Sequence, residues 1–224
     1  MRSSEKKHRV INNVHKLLIV GSGGHAKVII DMLKEAGEFE LIGCVSKEPL
    51  QQEILGFPIL GDDSVLPQLH TRGINHVFIA IGDNARRAEI MRSVTKMGFE
   101  IVNAISKYSH ISTSVRLGRG IAIMPGVVIN VDSVIEDNAV INTGATVDHD
   151  CLVGAHSHIG PGCNIAGNVS IGQGSFLGVG CNVIPKINIG EWTVIGAGAV
   201  VINDLPGYAK ASGVPAKIQD IGGK

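Results

Sequence analysis

Residues 141–171 read INTGATVDHDCLVGAHSHIGPGCNIAGNVSI, and an Ile or Val returns in this stretch at every sixth position. The same spacing extends from Ile105 to Val201, where all seventeen positions hold Ile, Leu or Val. Neither an α-helix nor an ordinary strand repeats every six residues. Three hexads, each with one short strand and one corner, close a triangular coil of about 18 residues. The stretch therefore predicts an all-β parallel coil, a β-helix, with the aliphatic side chains inside.

The other positions of the hexad support this interpretation. Gly, Asn or Asp often follows the aliphatic residue, as at Gly154, Gly172 and Asp148, and these types suit sharp corners. A small residue usually stands two positions before it, and Cys151, Cys163 and Cys181 occupy such slots. We expect these three cysteines to be packing residues. Because the fourth, Cys44, also lacks a CxxC partner, we expect reduced thiols.

The first hundred residues have a different pattern, in which apolar strands alternate with amphipathic helices. This order predicts a small parallel α/β unit, a Rossmann-like sheet. The expected strands are KLLIVG (16–21), FELIGCVS (39–46), HVFIAIG (76–82) and EIVNAIS (100–106), and the expected helices are VIIDMLKEAG (28–37, ended by a glycine) and NARRAEIMRSVTKMG (84–98).

A glycine-rich turn, GSGGHA (21–26), lies between the first strand and the first helix. It resembles part of a dinucleotide fingerprint, in which a helix N-terminus receives phosphate. The acidic residue expected about 20 positions later is missing, since Ser46 and Lys47 stand there. Three interpretations stay open: the diphosphate of a nucleotide sugar, a redox dinucleotide, or a tight turn without a ligand.

Composition excludes several other classes. The 224 residues carry 20 basic and 20 acidic side chains, so no basic field attracts nucleic acid or a membrane surface. The basic N-terminus has no apolar segment typical of a secretory signal, and we expect a cytoplasmic protein. The expected organisation is a flexible tail (1–15), a Rossmann-like domain (16–104), a β-helix domain (105–219) and a second tail (220–224).

Taken together, these motifs resemble one family. The GSGGHA turn, the segment FIAIGDNARRAEI (78–90), the hexads, and the motifs VDHDC (147–151), AGN (166–168) and GVPAK (213–217) are similar to those of nucleotide-amino-sugar N-acetyltransferases and the related sialic acid O-acetyltransferase-like proteins. The resemblance covers roughly residues 16–219. It implies a left-handed parallel β-helix made of hexapeptide repeats. It also implies that residues 16–104 are a sugar-nucleotide-binding domain and residues 105–219 an acetyltransferase domain.

The resemblance also implies an activity. Such proteins use acetyl-CoA to acetylate a nucleotide-linked 4-amino-4,6-dideoxy sugar in bacterial glycan biosynthesis, by direct attack of the amine. The family's general base is a histidine followed by an acidic residue, which corresponds to His149 and Asp150. A neutral imidazole can take the proton of an amine, and a carboxylate can orient its ring. Since Asp148 also flanks His149, the residues alone leave the choice of carboxylate open.

The binding residues implied by the resemblance fall into two groups. Those for acetyl-CoA are His158, Gly167, Val179 and Ala197, and those for the sugar nucleotide are Gly23, Gly24, His25 and Gly82. The family further implies a homotrimer with His149 at a subunit boundary, and no metal. His156 matches no family site, and we interpret it as a surface residue.

Three alternatives remain. The first is a sugar O-acetyltransferase of the sialic acid type, which needs the same general base and so cannot be distinguished from an N-acetyltransferase by His149. A γ-class carbonic anhydrase uses the same repeat with three zinc-binding histidines, but the spacing of His149, His156 and His158 differs from its pattern. A non-catalytic scaffold would have the repeat without coenzyme binding.

Overall fold

The N-terminal part is a four-stranded parallel sheet with helices. The computed structural model describes residues 15–47 and 51–222, so residues 1–14 of the expected N-terminal tail lie outside it. The sheet has the order β2-β1-β5-β6. Leu17 to Val20 are buried, as a central parallel strand requires. The elements are β1 (His15–Val20), α1 (Gly24–Ala36), β2 (Phe39–Val45), β3 (Glu53–Ile54), β4 (Phe57–Pro58), a 3₁₀ helix (Asp63–Val65), α2 (Leu66–Thr71), β5 (His76–Ile79), α3 (Asn84–Lys96) and β6 (Glu100–Ile101).

Both predicted helices are present. Gly37 ends α1 in the left-handed conformation, with φ of 68°, and its N–H donates to the Leu33 carbonyl. Helix α1 begins at Gly24, so the end of the glycine-rich turn is already the first helical turn. The β3–β4 hairpin, the 3₁₀ helix and α2 were not expected, because residues 51–71 carry no clear periodic pattern.

The rest of the chain forms a three-sided parallel β-helix, and each side is a ladder of short strands. The eight-stranded face holds β7 (Ala104–Ile105), β10 (Ala122–Ile123), β13 (Val140–Ile141), β16 (His158–Ile159), β19 (Phe176–Leu177), β22 (Val194–Ile195), β24 (Ala209–Ser212) and β25 (Lys217–Ile221). The six-stranded face holds β8 (His110–Ile111), β11 (Val128–Ile129), β14 (Thr146–Val147), β17 (Asn164–Ile165), β20 (Asn182–Val183) and β23 (Val200–Val201). The five-stranded face holds β9 (Arg116–Leu117), β12 (Val134–Ile135), β15 (Leu152–Val153), β18 (Ser170–Ile171) and β21 (Asn188–Ile189).

The register confirms the predicted 18-residue coil, since Val140 pairs with His158 in parallel. From Ile123 to Val201 every predicted aliphatic position is buried. The first three, Ile105, Ile111 and Leu117, are only partly buried, because the first coil is stacked on one side alone. All four cysteines are buried free thiols, which confirms the packing role predicted for three of them.

One detail of the hexad differs from the prediction. The glycines that follow the aliphatic residue do not have positive φ; left-handed residues lie two positions later, as at Asp150, His156 and Asn168. A Cβ at Gly154 would instead lie 2.7 Å from the Gln173 nitrogen in the next coil. These glycines are therefore required by close stacking of coils and not by backbone angle.

The predicted strand 100–106 is wrong as a single element. Its first half, β6, pairs with β5 in the sheet, and its second half, β7, pairs with β10 in the β-helix. Between them Asn103 donates to the Gly118 carbonyl and accepts from the Ile121 N–H. At the other end, β25 continues to Ile221, beyond residue 219 where the β-helix domain was expected to finish. Within residues 15–47 and 51–222, no helix has the length and apolarity needed to span a membrane.

Candidate active site

A cavity of about 540 Å³ lies at the carboxyl ends of the sheet strands. This is the usual ligand position in parallel α/β sheets. It is formed by the turn after β1, the turn after β5, and the end of β2, where Ser46 and Lys47 lie. All four predicted substrate-binding residues line it: Gly23, Gly24, His25 and Gly82.

The glycines of this cavity are unusual within the molecule. Gly21 is required by the fold, because its φ is 123° and a Cβ would overlap the Ala80 carbonyl. Gly23, Gly24 and Gly82 have ordinary φ, and a Cβ on any of them would meet no atom of residues 15–47 and 51–222 within 4 Å. Among the glycines that the structure describes, these three alone combine both properties. The fold does not explain them, whereas close approach of a ligand to the backbone does.

Polar and charged side chains line part of the cavity, whose walls are otherwise apolar. The Ser22 hydroxyl donates to the Ser46 hydroxyl over 2.8 Å. Arg86 pairs with Asp63 and, over 2.7 Å, with Glu89, whereas Lys47 is exposed. Helix α1 has no side-chain cap, so its first N–H groups are open to the cavity. These features suit a diphosphate.

His25 connects this cavity to the β-helix. Its ring centroid lies 6.2 Å from that of His158 on β16, and His158 also packs edge-on against Phe176. His158 is only 8% exposed, and its Nε2 lies 3.0 Å from the Asn142 amide nitrogen. Burial, helped by the Arg87 charge, lowers the pKa of both histidines to about 4. Both rings are therefore neutral at physiological pH. Within the described part of the chain, His25 Nε2 and His158 Nδ1 are buried without a hydrogen-bond partner.

His149 lies on a different part of the molecule, at the corner between the six-stranded and five-stranded faces. Its Nδ1 is 2.8 Å from Asp150 Oδ2. The carboxylate of Asp148 does not contact the ring; it accepts from the His149 backbone N–H and the Asn130 amide. The geometry thus selects Asp150 as the ring's partner. The hydrogen bond that the His149 ring donates to Asp150 raises the pKa of His149, and the charges of Asp148 and Asp150 add to this.

Gly167 lies one coil from His149 and directly against its ring. A Cβ at Gly167 would be 2.6 Å from both Cε1 and Nε2 of the imidazole. The absence of a side chain at Gly167 therefore allows the ring to lie flat on the next coil, with Nδ1 held by Asp150 and Nε2 available. The His149 and Asp150 side chains remain 48% and 54% exposed.

The structure does not bring His149 and the cavity together within one chain. The N-terminal domain covers the eight-stranded face, where His25 meets His158 and Asn84 donates to the carbonyls of Gly174 and Ser175. His149 lies on the corner opposite that face.

The predicted coenzyme residues are divided in the same way. Gly167 is beside His149, His158 is on the eight-stranded face, and Val179 and Ala197 are exposed and stacked one coil apart at its edge.

His156 is not the surface residue expected. It is half-buried, its Nδ1 lies 3.0 Å from the Asn138 amide, and its carbonyl accepts from Arg87. Burial lowers its pKa, as does the Arg87 charge. Sequence reasoning missed this cluster, although the paired arginines in the segment 78–90 were a signal.

Comparisons with known families divide the chain in the same way. Residues 16–94 match the PglD N-terminal domain, and residues 132–167 match the bacterial transferase hexapeptide, six repeats. One curated relative is an uncharacterized protein of Acanthamoeba polyphaga mimivirus, 33% identical over 123 residues. The match covers 55% of this chain, and it spans only about a quarter, 24%, of the length of that relative.

Solved structures give fuller matches. A perosamine N-acetyltransferase from Caulobacter crescentus, in complex with CoA and GDP-perosamine, is 49% identical with a TM-score of 0.89, covering 92% of this chain and 98% of that one. The acetyltransferase domain of PglB from Neisseria gonorrhoeae, in complex with acetyl coenzyme A, is 33% identical with a TM-score of 0.87, covering 92% and 99%. The observed solenoid is consistent with the left-handed β-helix expected. The chain belongs to the hexapeptide-repeat sugar N-acetyltransferases.

Proposed function

We propose that this protein transfers an acetyl group from acetyl-CoA to the amine of a nucleotide-linked 4-amino-4,6-dideoxy sugar. The observation that carries the proposal is the His149–Asp150 pair, whose free Nε2 lies over a glycine at an open corner of the β-helix. The 49% identical relative supports it, since that enzyme was solved with CoA and GDP-perosamine. GDP is accordingly the nucleotide we test first.

The proposed chemistry is a direct transfer. His149 Nε2 takes a proton from the sugar amine as the amine nitrogen bonds to the thioester carbonyl carbon. The carbon–sulfur bond then breaks, and the sulfur leaves with the CoA. Asp150 holds the imidazole in the tautomer that leaves Nε2 unprotonated, and it stabilises the imidazolium formed. The cysteines take no part, because burial raises the pKa of Cys151 and leaves its thiol inside the coil.

The proposed substrate site is the glycine-lined cavity. Gly23 and Gly24 at the start of α1 receive the diphosphate, Gly82 lines the opposite wall, and His25 lies at the β-helix end. Ser46 and Lys47 stand where a redox dinucleotide fold has its ribose-binding acidic residue, at the end of β2, and this disfavours a redox dinucleotide.

The active enzyme is proposed to be a homotrimer in which each site uses two chains. In one chain the cavity and His149 lie on opposite sides of the prism, so a sugar in the cavity must meet His149 of a partner subunit. Exposed apolar side chains fit this arrangement. Val131, Ile184 and Ile202 lie on the His149 corner, while Phe176 and Val194 lie on the eight-stranded face beyond the N-terminal domain. Head-to-tail packing of one surface on the other closes a ring.

The same packing gives acetyl-CoA its proposed place, between Gly167 of one chain and His158, Val179 and Ala197 of the next. His158 lies on the eight-stranded face and packs against the exposed ring of Phe176, where the coenzyme arm is proposed to run. The small exposed side chains of Val179 and Ala197 leave room for that arm along the coil edge.

A substrate panel tests the proposal. GDP-, UDP- and dTDP-linked 4-amino-4,6-dideoxy sugars and sialic acid are incubated with acetyl-CoA, and release of free CoA is followed. We expect turnover with a nucleotide-linked amino sugar and none with its 4-hydroxy analogue. An ester product, identified by its cleavage with hydroxylamine, would instead support the O-acetyltransferase. Absence of turnover together with absence of acetyl-CoA binding would support the interpretation of the protein as a non-catalytic scaffold.

A further inference from the structure

Arg87, on α3, is the largest fully buried side chain in the described part of the protein, with 1% exposure. A guanidinium keeps its charge when buried only if its five N–H groups find acceptors. Burial lowers the pKa of Arg87 to about 10, which still leaves it charged. Among the described residues no carboxylate forms an ion pair with it. Its partners are nearly all backbone carbonyls.

These carbonyls come from both domains. On one side, Arg87 Nη1 donates to the carbonyls of Ile81 and Gly82, each over 3.1 Å. On the other, Nε donates to the Asn138 carbonyl over 3.0 Å, and Nη2 to those of His156 and Ser157 over 2.7 and 3.3 Å. Ile81 and Gly82 form a wall of the cavity, and Ser157 directly precedes His158.

Asn84 extends the same contact along the β-helix. It accepts from Arg87 over 2.8 Å, and its own amide donates to the carbonyls of Gly174 and Ser175. Asn138, His156 and Gly174 occupy the same corner in three successive coils, 18 residues apart. Helix α3 thus fixes one cavity wall to three coils: the guanidinium of Arg87 reaches the first two, and the Asn84 amide reaches the third. Lysine, with three donors on one nitrogen, cannot span these carbonyls in the same way.

We propose that Arg87 is a positioning residue for nucleotide-sugar binding, which holds the Ile81–Gly82 turn at a fixed place relative to the coil that carries His158. This rests on the proposed function, because the Gly82 wall is taken to contact the sugar nucleotide. Loss of the guanidinium leaves the two halves folded but lets the wall shift, and small displacements of a binding wall have large effects.

The experiment compares Arg87→Met with Arg87→Lys and the matched control Arg92→Met, an exposed arginine on the same helix. Binding of GDP and of acetyl-CoA is measured by calorimetry, at a temperature where circular dichroism shows each variant folded. For Arg87→Met we expect the Kd for GDP, and the KM for the nucleotide sugar, to rise about 10-fold to 100-fold, with a smaller fall in kcat. Acetyl-CoA affinity should stay near wild type. Lysine should restore part of the loss, and Arg92→Met should behave as wild type.

A merely structural Arg87 would lower the melting temperature without changing the Kd for GDP in the folded protein. A folded Arg87→Met with a Kd for GDP within about twofold of wild type would overturn the proposal. If that variant does not fold, Asn84→Ala replaces it, with an expected rise of about 3-fold to 10-fold, and an unchanged Kd would be equally decisive. Wild type that binds GDP but acetylates no amino sugar would contradict the proposed function alone. Wild type that binds no nucleoside diphosphate would overturn both.

Discussion

The glycines of the β-helix and those of the N-terminal cavity differ in what requires them. In the β-helix, Gly154 and Gly172 have no room for a Cβ against the next coil, and others such as Gly162 adopt positive φ. In the cavity, Gly23, Gly24 and Gly82 have neither constraint. A glycine that the fold does not require is a better indication of a ligand than one in a recognisable motif. Gly21 shows this, since it belongs to the same turn and is required by the fold.

Gly167 stands between the two groups. It belongs to the β-helix, yet the space that its Cβ would fill is occupied by the His149 side chain and not by backbone. The division of labour we propose follows from these contrasts: the N-terminal cavity binds, and the His149 corner reacts. The following variants test the two regions separately.

The largest effect is expected for His149→Ala. Loss of a general base should lower kcat by about 10²-fold to 10⁴-fold, with both ligands bound as in wild type. Two structures of the Caulobacter relative, with a histidine replaced by asparagine or by alanine, still hold CoA and GDP-perosamine. Steady-state kinetics give the rate, and His110→Ala, an exposed histidine elsewhere on the β-helix, is the control. Turnover close to that of wild type would show that His149 is not the base.

Gly167→Ala should come next. The added methyl would displace the imidazole from the coil, and a shift of about 1 Å can lower a rate roughly 100-fold. The expected result is a lower kcat with an unchanged KM for the nucleotide sugar. If coenzyme affinity falls while kcat at saturation is kept, Gly167 serves coenzyme binding and not the ring.

Gly24→Val should raise the KM for the nucleotide sugar by about 10-fold to 100-fold, because its methyl groups exclude phosphate from the helix N-terminus. The melting temperature should not fall, since a Cβ at Gly24 meets no atom of the described residues within 4 Å. Gly172→Ala is the opposite control: its Cβ would overlap the Glu191 backbone, so stability should fall and the KM should not. A destabilised Gly24→Val with an unchanged KM would contradict the contrast between the two groups of glycines.

The smallest effect is expected for Asp150→Asn, with kcat about 10-fold lower. Because the Asp150 carboxylate raises the pKa of His149, removing its charge lowers that pKa. The rate depends on the neutral imidazole, so the acidic limb of the pH–rate profile should move to lower pH. An acidic limb at unchanged pH would mean that Asp150 does not orient the imidazole. The orienting role would then belong to Asp148 or to neither residue.

The β-helix was predictable because the same hexad pattern occurs seventeen times, and a departure from the pattern at one position does not change the period. The candidate site residues were predicted only through the resemblance, and their geometry could not be predicted. The choice of Asp150 over Asp148 depends on a corner conformation, with φ of 57° at Asp150, that composition does not specify. The Arg87 contact could not be predicted, since it joins residues 51 to 70 positions apart through backbone carbonyls that carry no sequence signal.

The central claim, that each site joins the cavity of one chain to His149 of another, is tested most directly by mixing two variants with complementary defects, one in kcat and one in the KM for the nucleotide sugar. His149→Ala and Gly24→Val chains are unfolded, combined in equal amounts and refolded together, and activity is measured at low nucleotide-sugar concentration. Random mixing puts both chains in about three quarters of the trimers, each with one intact site of three, so about a quarter of wild-type activity should return. If the mixture is no more active than the two variants apart, while wild type refolds to full activity, each site lies within one chain and the claim is wrong.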